Sequence, residues 1–160
     1  LSNLKNKSKL ILALLIIISA VVIDQLQKEL TINYLAANGP QQITSYFNLV
    51  MVWNKGVSFG MFNNPATSQW ALVALTGAII LLLIYWLKKA TARLPVIGFS
   101  LVIGGALGNL IDRVYRGAVA DFFDFYINNW HWPAFNLADS FIFIGVALLI
   151  IDSFKQSDKN

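Results

Sequence analysis

The chain has 160 residues, of which 57% are hydrophobic and 12% charged, with a formal net charge of +4. Soluble domains carry about 25% charged residues, so water is not the main solvent here, and the length suits one domain, residues 1–160. The chain has no cysteine and a single histidine, His131, which excludes disulfides and thiolate chemistry and argues against a His-rich metal site or a Ser-His-Asp triad.

Four apolar runs occur in order, read as spans over about 10–27, 69–88, 94–113 and 137–154. A helix crosses a bilayer in about 17–25 residues and satisfies its own backbone hydrogen bonds there. Lys5, Lys7 and Lys9 precede the first run, Lys88, Lys89 and Arg93 separate the second from the third, and Lys155 and Lys159 follow the fourth. Positive flanks face the cytoplasm, so both termini are expected inside, with outer segments over about 28–68 and 114–136. The basic start and apolar middle resemble a signal peptide, but no small-residue cleavage site follows, so a retained anchor is expected.

In the first outer segment, "ITSYFNLVMVWN" (43–54) is β-branched and aromatic, which predicts strand, and "NGP" (38–40) predicts a turn. A small sheet on the membrane surface should follow, then a short outer helix or loop around Gly60–Asn64. The second outer segment carries "RGAVADFFDFY" and "NNWHWPAF" and reads as a loop resting on the headgroups, where Trp and Tyr are favoured. Gly104 and Gly108 form a GxxxG that marks the third span as a central, closely packed helix. The expected fold is therefore membrane all-α, a four-helix bundle with a small extracytoplasmic β-sheet cradle.

The carboxylates gather at one end. At about 1.5 Å per residue, Asp24 lies roughly 21 Å up the first span and Asp139 roughly 18 Å up the fourth. Asp112 closes the third span and Asp121 follows in the outer segment. Each has a plainer reading: Asp139 as a helix N-cap, Asp24 as the i,i+4 partner of Lys28, Asp112 as an interfacial pair with Arg113, and Asp124 as a solvated side chain. Asp121, in "VADFFDF", has no local capping role. Ionisable groups at membrane depth are costly and point to function. Two carboxyls held close cannot both ionise readily, which provides a base for water and an acid for a leaving group without metal, cysteine or histidine.

Four blocks in order, "DQLQK" (24–28), "NKGVSFG" (54–60), "GNLIDRVYRGAVADFFDFY" (108–126) and "WPAFNLADS" (132–140), resemble the lipoprotein signal peptidases, or type II signal peptidases. The resemblance covers nearly the whole chain and rests on the combination of blocks. It implies a bacterial inner-membrane aspartyl endopeptidase that removes signal peptides from prolipoproteins, cleaving just before a diacylglyceryl-modified cysteine. It implies four transmembrane helices with a sheet cradle and a short outer helix, no cofactor or metal, membrane lipid as surroundings, no nucleic-acid partner, inhibition by globomycin-type antibiotics, and a monomer. The catalytic pair implied is Asp121 and Asp139, with Asp24, Lys28, Asn54, Gly56, Asn109, Arg113, Asn136 and Ala138 as supporting or substrate-binding residues. Ser58 and Ala120 depart from the residues the family often carries there, alanine and valine, and should tune fit and not chemistry.

Three rivals start from the same residues. A proton-coupled transporter would use Asp24 and Asp139 as carriers, but no ionisable residue continues the path toward the cytoplasm before Asp152. A membrane scaffold would use Trp130, Trp132 and the Gly104 region as contact surfaces. An intramembrane serine protease is disfavoured by the position of His131 in the aromatic outer segment.

Overall fold

The computed structural model describes residues 2–56 and 65–157. Along the chain come α1 (Ser2–Asn38), β1 (Gln41–Thr44), β2 (Phe47–Asn54), α2 (Pro65–Lys89), α3 (Arg93–Arg116), β3 (Val119–Ile127), β4 (Trp130–His131) and α4 (Leu137–Ser157). All four helices hold stretches long and apolar enough to cross a membrane: Lys7–Asn38, Gln69–Lys89, Arg93–Arg116 and Leu137–Lys155. Their outward positions carry large apolar side chains such as Leu15, Leu81 and Phe143, as a helix apolar all round requires a lipid environment.

One end of the bundle gathers the basic flanks. Lys9 of α1 donates to the carbonyls of Lys88 (3.0 Å) and Ala90 (2.9 Å), tying the start of the first span to the α2–α3 turn. The sheet lies at the other end.

α3 is the central helix. Of its apolar window 56% is buried, against 17%, 17% and 11% for the windows of α1, α2 and α4. It packs on all three, and small residues let the backbones meet. A Cβ on Gly104 would stand 2.7 Å from that of Ala20 on α1, and one on Gly98 would stand 3.0 Å from the Gly145 carbonyl of α4. Gly104 and Gly108, the GxxxG pair, both face α1. A second glycine face, Gly98 and Gly105, seats α4.

α1 continues to Asn38, well past the expected start of the outer segment at 28. The apolar run stops because the helix changes from lipid-facing to amphipathic. Asp24, Lys28, Thr31 and Leu35 form a buried stripe at helical spacing, while Glu29, Leu30, Asn33 and Tyr34 face outward.

The sheet has the order β1-β2-β3-β4 with every pair antiparallel. The predicted strand over 43–54 is a hairpin, with β1 ending at Thr44 and β2 starting at Phe47. The second outer segment is not a loop as expected: β3 occupies the inner part of the sheet. Its valine, phenylalanine, tyrosine and isoleucine suit strand, but two aspartates obscure the alternation. Gly117 closes α3 in the left-handed region (φ 77°), where a side chain would be strained, and turns the chain into β3. The short outer helix expected around Gly60–Asn64 lies outside the described residues.

Candidate active site

Asp121 reaches the site from β3. Val52 pairs with Asp121, and Asn54 with Val119, so Asn54 and Asp121 are diagonal neighbours on one face of the sheet. Asn54 Nδ2 donates to Asp121 Oδ2 at 2.9 Å. Asp124, three residues on, points to the opposite face. There it accepts from Asn48 Nδ2 (2.9 Å) and meets His131 Nδ1 (2.8 Å). It is buried, which corrects the reading of a solvated side chain and removes it from the site.

Asp139 arrives on α4 as the third helical residue. It is not the N-cap. Asn136 holds that place, and its Oδ1 accepts the Asp139 N–H (3.0 Å), while Asp139 Oδ2 accepts the Asn136 N–H (3.1 Å). This reciprocal capping box satisfies two free donors of the helix start and fixes one oxygen of Asp139. The other oxygen accepts from Asn109 Nδ2 at 2.8 Å. Just upstream, Phe135 bridges to Phe123 of β3, exchanging N–H and C=O at 3.1 and 2.9 Å. That bridge lays the start of α4 along the strand that carries Asp121.

Asn136 therefore touches both carboxyls. Its Nδ2 donates to Asp121 Oδ1 at 2.7 Å and to Asn109 Oδ1 at 3.1 Å, and it is fully buried. Asn109 is oriented in turn by Lys28, whose ammonium donates to Asn109 Oδ1 at 2.9 Å. A cation demands the amide oxygen, which leaves the Nδ2 to face Asp139.

The remaining sequence-derived residues lie around this centre at graded distance. Lys28 is buried behind Asn109 and pairs with Asp24 (2.9 Å) and Asp112 (2.8 Å). The i,i+4 pairing of Asp24 and Lys28 thus forms. Asp112 pairs with Lys28 and Arg116 (2.7 Å) and not with Arg113, correcting that expectation. Ala138, fully buried, sits where a Cβ on Gly108 would stand 3.5 Å from its own. Gly56, with φ 74°, donates its N–H to Asn54 Oδ1 at 2.7 Å and so sets the Asn54 amide. Arg113 lies within electrostatic reach of Asp139, Asp121 and Asp112. Its Nε has no hydrogen-bond partner among the described residues. Gln25, Asp112 and Arg116 were not singled out from sequence as part of the site's support. For Asp112 and Arg116 the signal was the spacing itself, an i,i+4 pair like Asp24–Lys28 on a helix that touches α1; Gln25 carried no such signal.

Asp121 is 1% exposed. Burial is the main cause that pushes its carboxyl from 3.8 up to about 6, and the nearby Asp139 adds to it, against the hydrogen bonds from Asn54 and Asn136 and the charge of Lys28. Asp139 is half-buried and opens on a cavity of about 470 Å³ lined by Trp132, Phe135, Ser140, Phe143 and Ile144. A buried carboxyl and an accessible one, bridged by one asparagine beside an apolar groove, suit acid–base hydrolysis of an amphiphilic substrate.

Residues 16–155 match the family model described as signal peptidase (SPase) II. The lipoprotein signal peptidase of Aeromonas hydrophila is 47% identical over 144 residues, 88% of this chain and 86% of that one. The lipoprotein signal peptidase of Alteromonas mediterranea is 42% identical over 143 residues, 88% of this chain and 79% of that one. A solved chain described as a bacterial membrane enzyme structure by the in meso method at 2.3 Å is 30% identical with a TM-score of 0.75, covering 92% of this chain and 90% of its own. A second, at 1.9 Å, is 31% identical with the same TM-score, covering 89% and 92%. With the family model spanning most of its length and four helices long and apolar enough to cross a membrane, this chain belongs to the signal peptidase II family, bacterial membrane aspartic peptidases that remove signal peptides from lipoprotein precursors.

Proposed function

We propose that Asp121 and Asp139 are the catalytic pair and that they cleave a diacylglyceryl-modified prolipoprotein just before its lipidated cysteine. The observation that carries this reading is Asn136, which donates to both carboxyls from its side chain and its backbone and so holds them as neighbours. A water between them is the nucleophile. One carboxylate takes its proton. The other, protonated, hydrogen-bonds the scissile carbonyl and then returns a proton to the leaving nitrogen. Asp121, buried and pushed up to about 6, takes up a proton more readily than a free carboxyl and so suits proton exchange within the pair.

The apolar groove beside Asp139, between Trp132, Phe135, Phe143 and Ile144, suits the acyl chains of the modified cysteine arriving from the bilayer. Asn54, which donates to Asp121, and Gly56 and Arg113 beside it are the groups to bind substrate carbonyls. Residues 1–160 form one integral membrane domain in the bacterial inner membrane, acting as a monomer. The termini lie in the cytoplasm and the site at the outer face, in line with the basic flanks at the opposite end of the bundle. Globomycin-type inhibitors compete for the same groove.

Asp121→Asn and Asp139→Asn preserve size and remove the titration. Each is expected to abolish the gel shift of a diacylglyceryl precursor incubated with purified protein in detergent, while far-UV circular dichroism stays unchanged. Full cleavage by either variant removes that residue from the mechanism.

A further inference from the structure

Behind the two aspartates lie two others, and their contacts repeat a pattern. Asp24 and Asp112 are both 0% exposed, on α1 and α3. Asp24 Oδ1 accepts the backbone N–H of Ala138 at 3.0 Å. Asp112 Oδ2 accepts the backbone N–H of Ala120 at 3.3 Å. Ala138 directly precedes Asp139, and Ala120 directly precedes Asp121. The Lys28 ammonium sits between the two acceptors, 2.9 Å from Asp24 Oδ2 and 2.8 Å from Asp112 Oδ2.

We infer that Asp24 and Asp112, joined by Lys28, are positioning residues that set the separation of the Asp121 and Asp139 carboxyls by holding the backbone of each preceding alanine. The inference rests on the catalytic reading of Asp121 and Asp139.

Physical reasons favour a clamp over a generic packing contact. A backbone amide that donates to a buried carboxyl oxygen is held in place by it, and moving that amide moves the next side chain. Each carboxylate is locked from more than one direction. Asp112 Oδ1 also takes Arg116 Nη1 (2.7 Å) and Gln25 Nε2 (3.2 Å), and Asp24 Oδ2 takes Gln25 Nε2 (3.1 Å). Lys28 spends its third donor on Asn109 Oδ1 at 2.9 Å, so the same ammonium that spaces the two backbones also aims the Asn109 amide at Asp139. Gly108 leaves room for the arrangement: a Cβ there would collide with Asp24 Oδ2. α1, α3, β3 and α4 thus meet at one cation, and none of Asp24, Asp112 or Lys28 contacts either candidate catalytic side chain directly.

A clamp of this kind acts on chemistry and not on substrate affinity. The test is steady-state cleavage of a synthetic diacylglyceryl-cysteine peptide by Asp24→Asn and Asp112→Asn, normalised to folded protein by size-exclusion and circular dichroism. The expected result is a fall in kcat of tenfold or more with KM changed less than threefold, since a misplacement of about 1 Å can cost on the order of 100-fold. Asp24→Glu and Asp112→Glu keep the charge beside Lys28 and displace the held amide by one methylene. They are expected to show the same kcat-only loss, and they serve if an Asn variant does not fold. A kcat per folded molecule within twofold of the parent in these variants overturns the clamp, as does a rise in KM alone. Asp121→Asn is run alongside. If it too is fully active, the catalytic reading falls first; if it is inactive while the clamp variants are not, only the clamp falls.

Discussion

Replacing Asp121 by Asn gives a pH signature whose size follows from its burial. The carboxyl is 1% exposed and titrates at about 6 in place of 3.8, because burial disfavours its charge. At about 1.4 kcal/mol per tenfold change in proton affinity, that displacement is worth about 3 kcal/mol. The folded protein binds this proton more tightly than the unfolded chain, so the sign is opposite to that of a salt-bridged carboxylate. Stability falls as pH rises from 3.8 to 6, and the penalty is fully in place above 6. An amide at 121 carries no such penalty. It cannot accept from both Asn54 and Asn136, so it loses a hydrogen bond worth about 1 kcal/mol, but that loss does not depend on pH. The stability of Asp121→Asn relative to the parent is therefore expected to improve by about 3 kcal/mol between pH 3.5 and pH 7. Paired unfolding titrations of both proteins in mixed micelles across this range measure it. The same group should give kcat/KM of the parent a limb near pH 6. A stability difference that stays flat with pH, together with no limb near 6, would refute the argument from burial.

Other substitutions probe the frame around the site. Lys28→Met keeps length and removes the charge, leaving Asp24 and Asp112 buried without their shared cation; a loss of about 3–5 kcal/mol is expected in the same unfolding assay. Gly105→Ala would drive a Cβ into the Ala138 carbonyl and within 2.9 Å of Ile142 Cγ1, and overpacking of this kind costs about 1–3 kcal/mol. Gly77→Ala, with nothing within 4 Å of the new Cβ, should be neutral or stabilising by up to about 1 kcal/mol. Asp124→Asn tests the far face of the sheet. Burial pushes that carboxyl up, but hydrogen bonds from Asn48 and His131 and the charge of His131 outweigh it and leave it below 3.8. Its contribution is present above pH 3.8 and lost as pH falls through its own lower value, so the variant should melt earlier than the parent at pH 6 and equally at the acid end.

The four helices were legible because hydropathy is a local property: a run such as "FIFIGVALLII" needs no partner to declare its solvent. The family blocks were legible for a related reason, since short strings survive as strings whatever they contact. The roles inside those strings were not. Asp139 in "NLADS" looks like a cap, yet Asn136 is the cap, and only the tertiary structure turns one Asp139 oxygen toward Asn109. Asp112 beside Arg113 looks like a pair, yet adjacent helical residues point in different directions, and its cation is Lys28 of another helix. Nor does any local pattern separate Asp121 from Asp124. Strand alternation sends them to opposite faces, but which face meets Asn136 depends on β2 pairing and on the bridge between Phe123 and Phe135. Sequence by itself determined where the chain meets lipid, because burying apolar surface is a one-body preference. Which polar groups meet was left to the tertiary structure, because a hydrogen bond is a two-body event between residues as much as 114 positions apart.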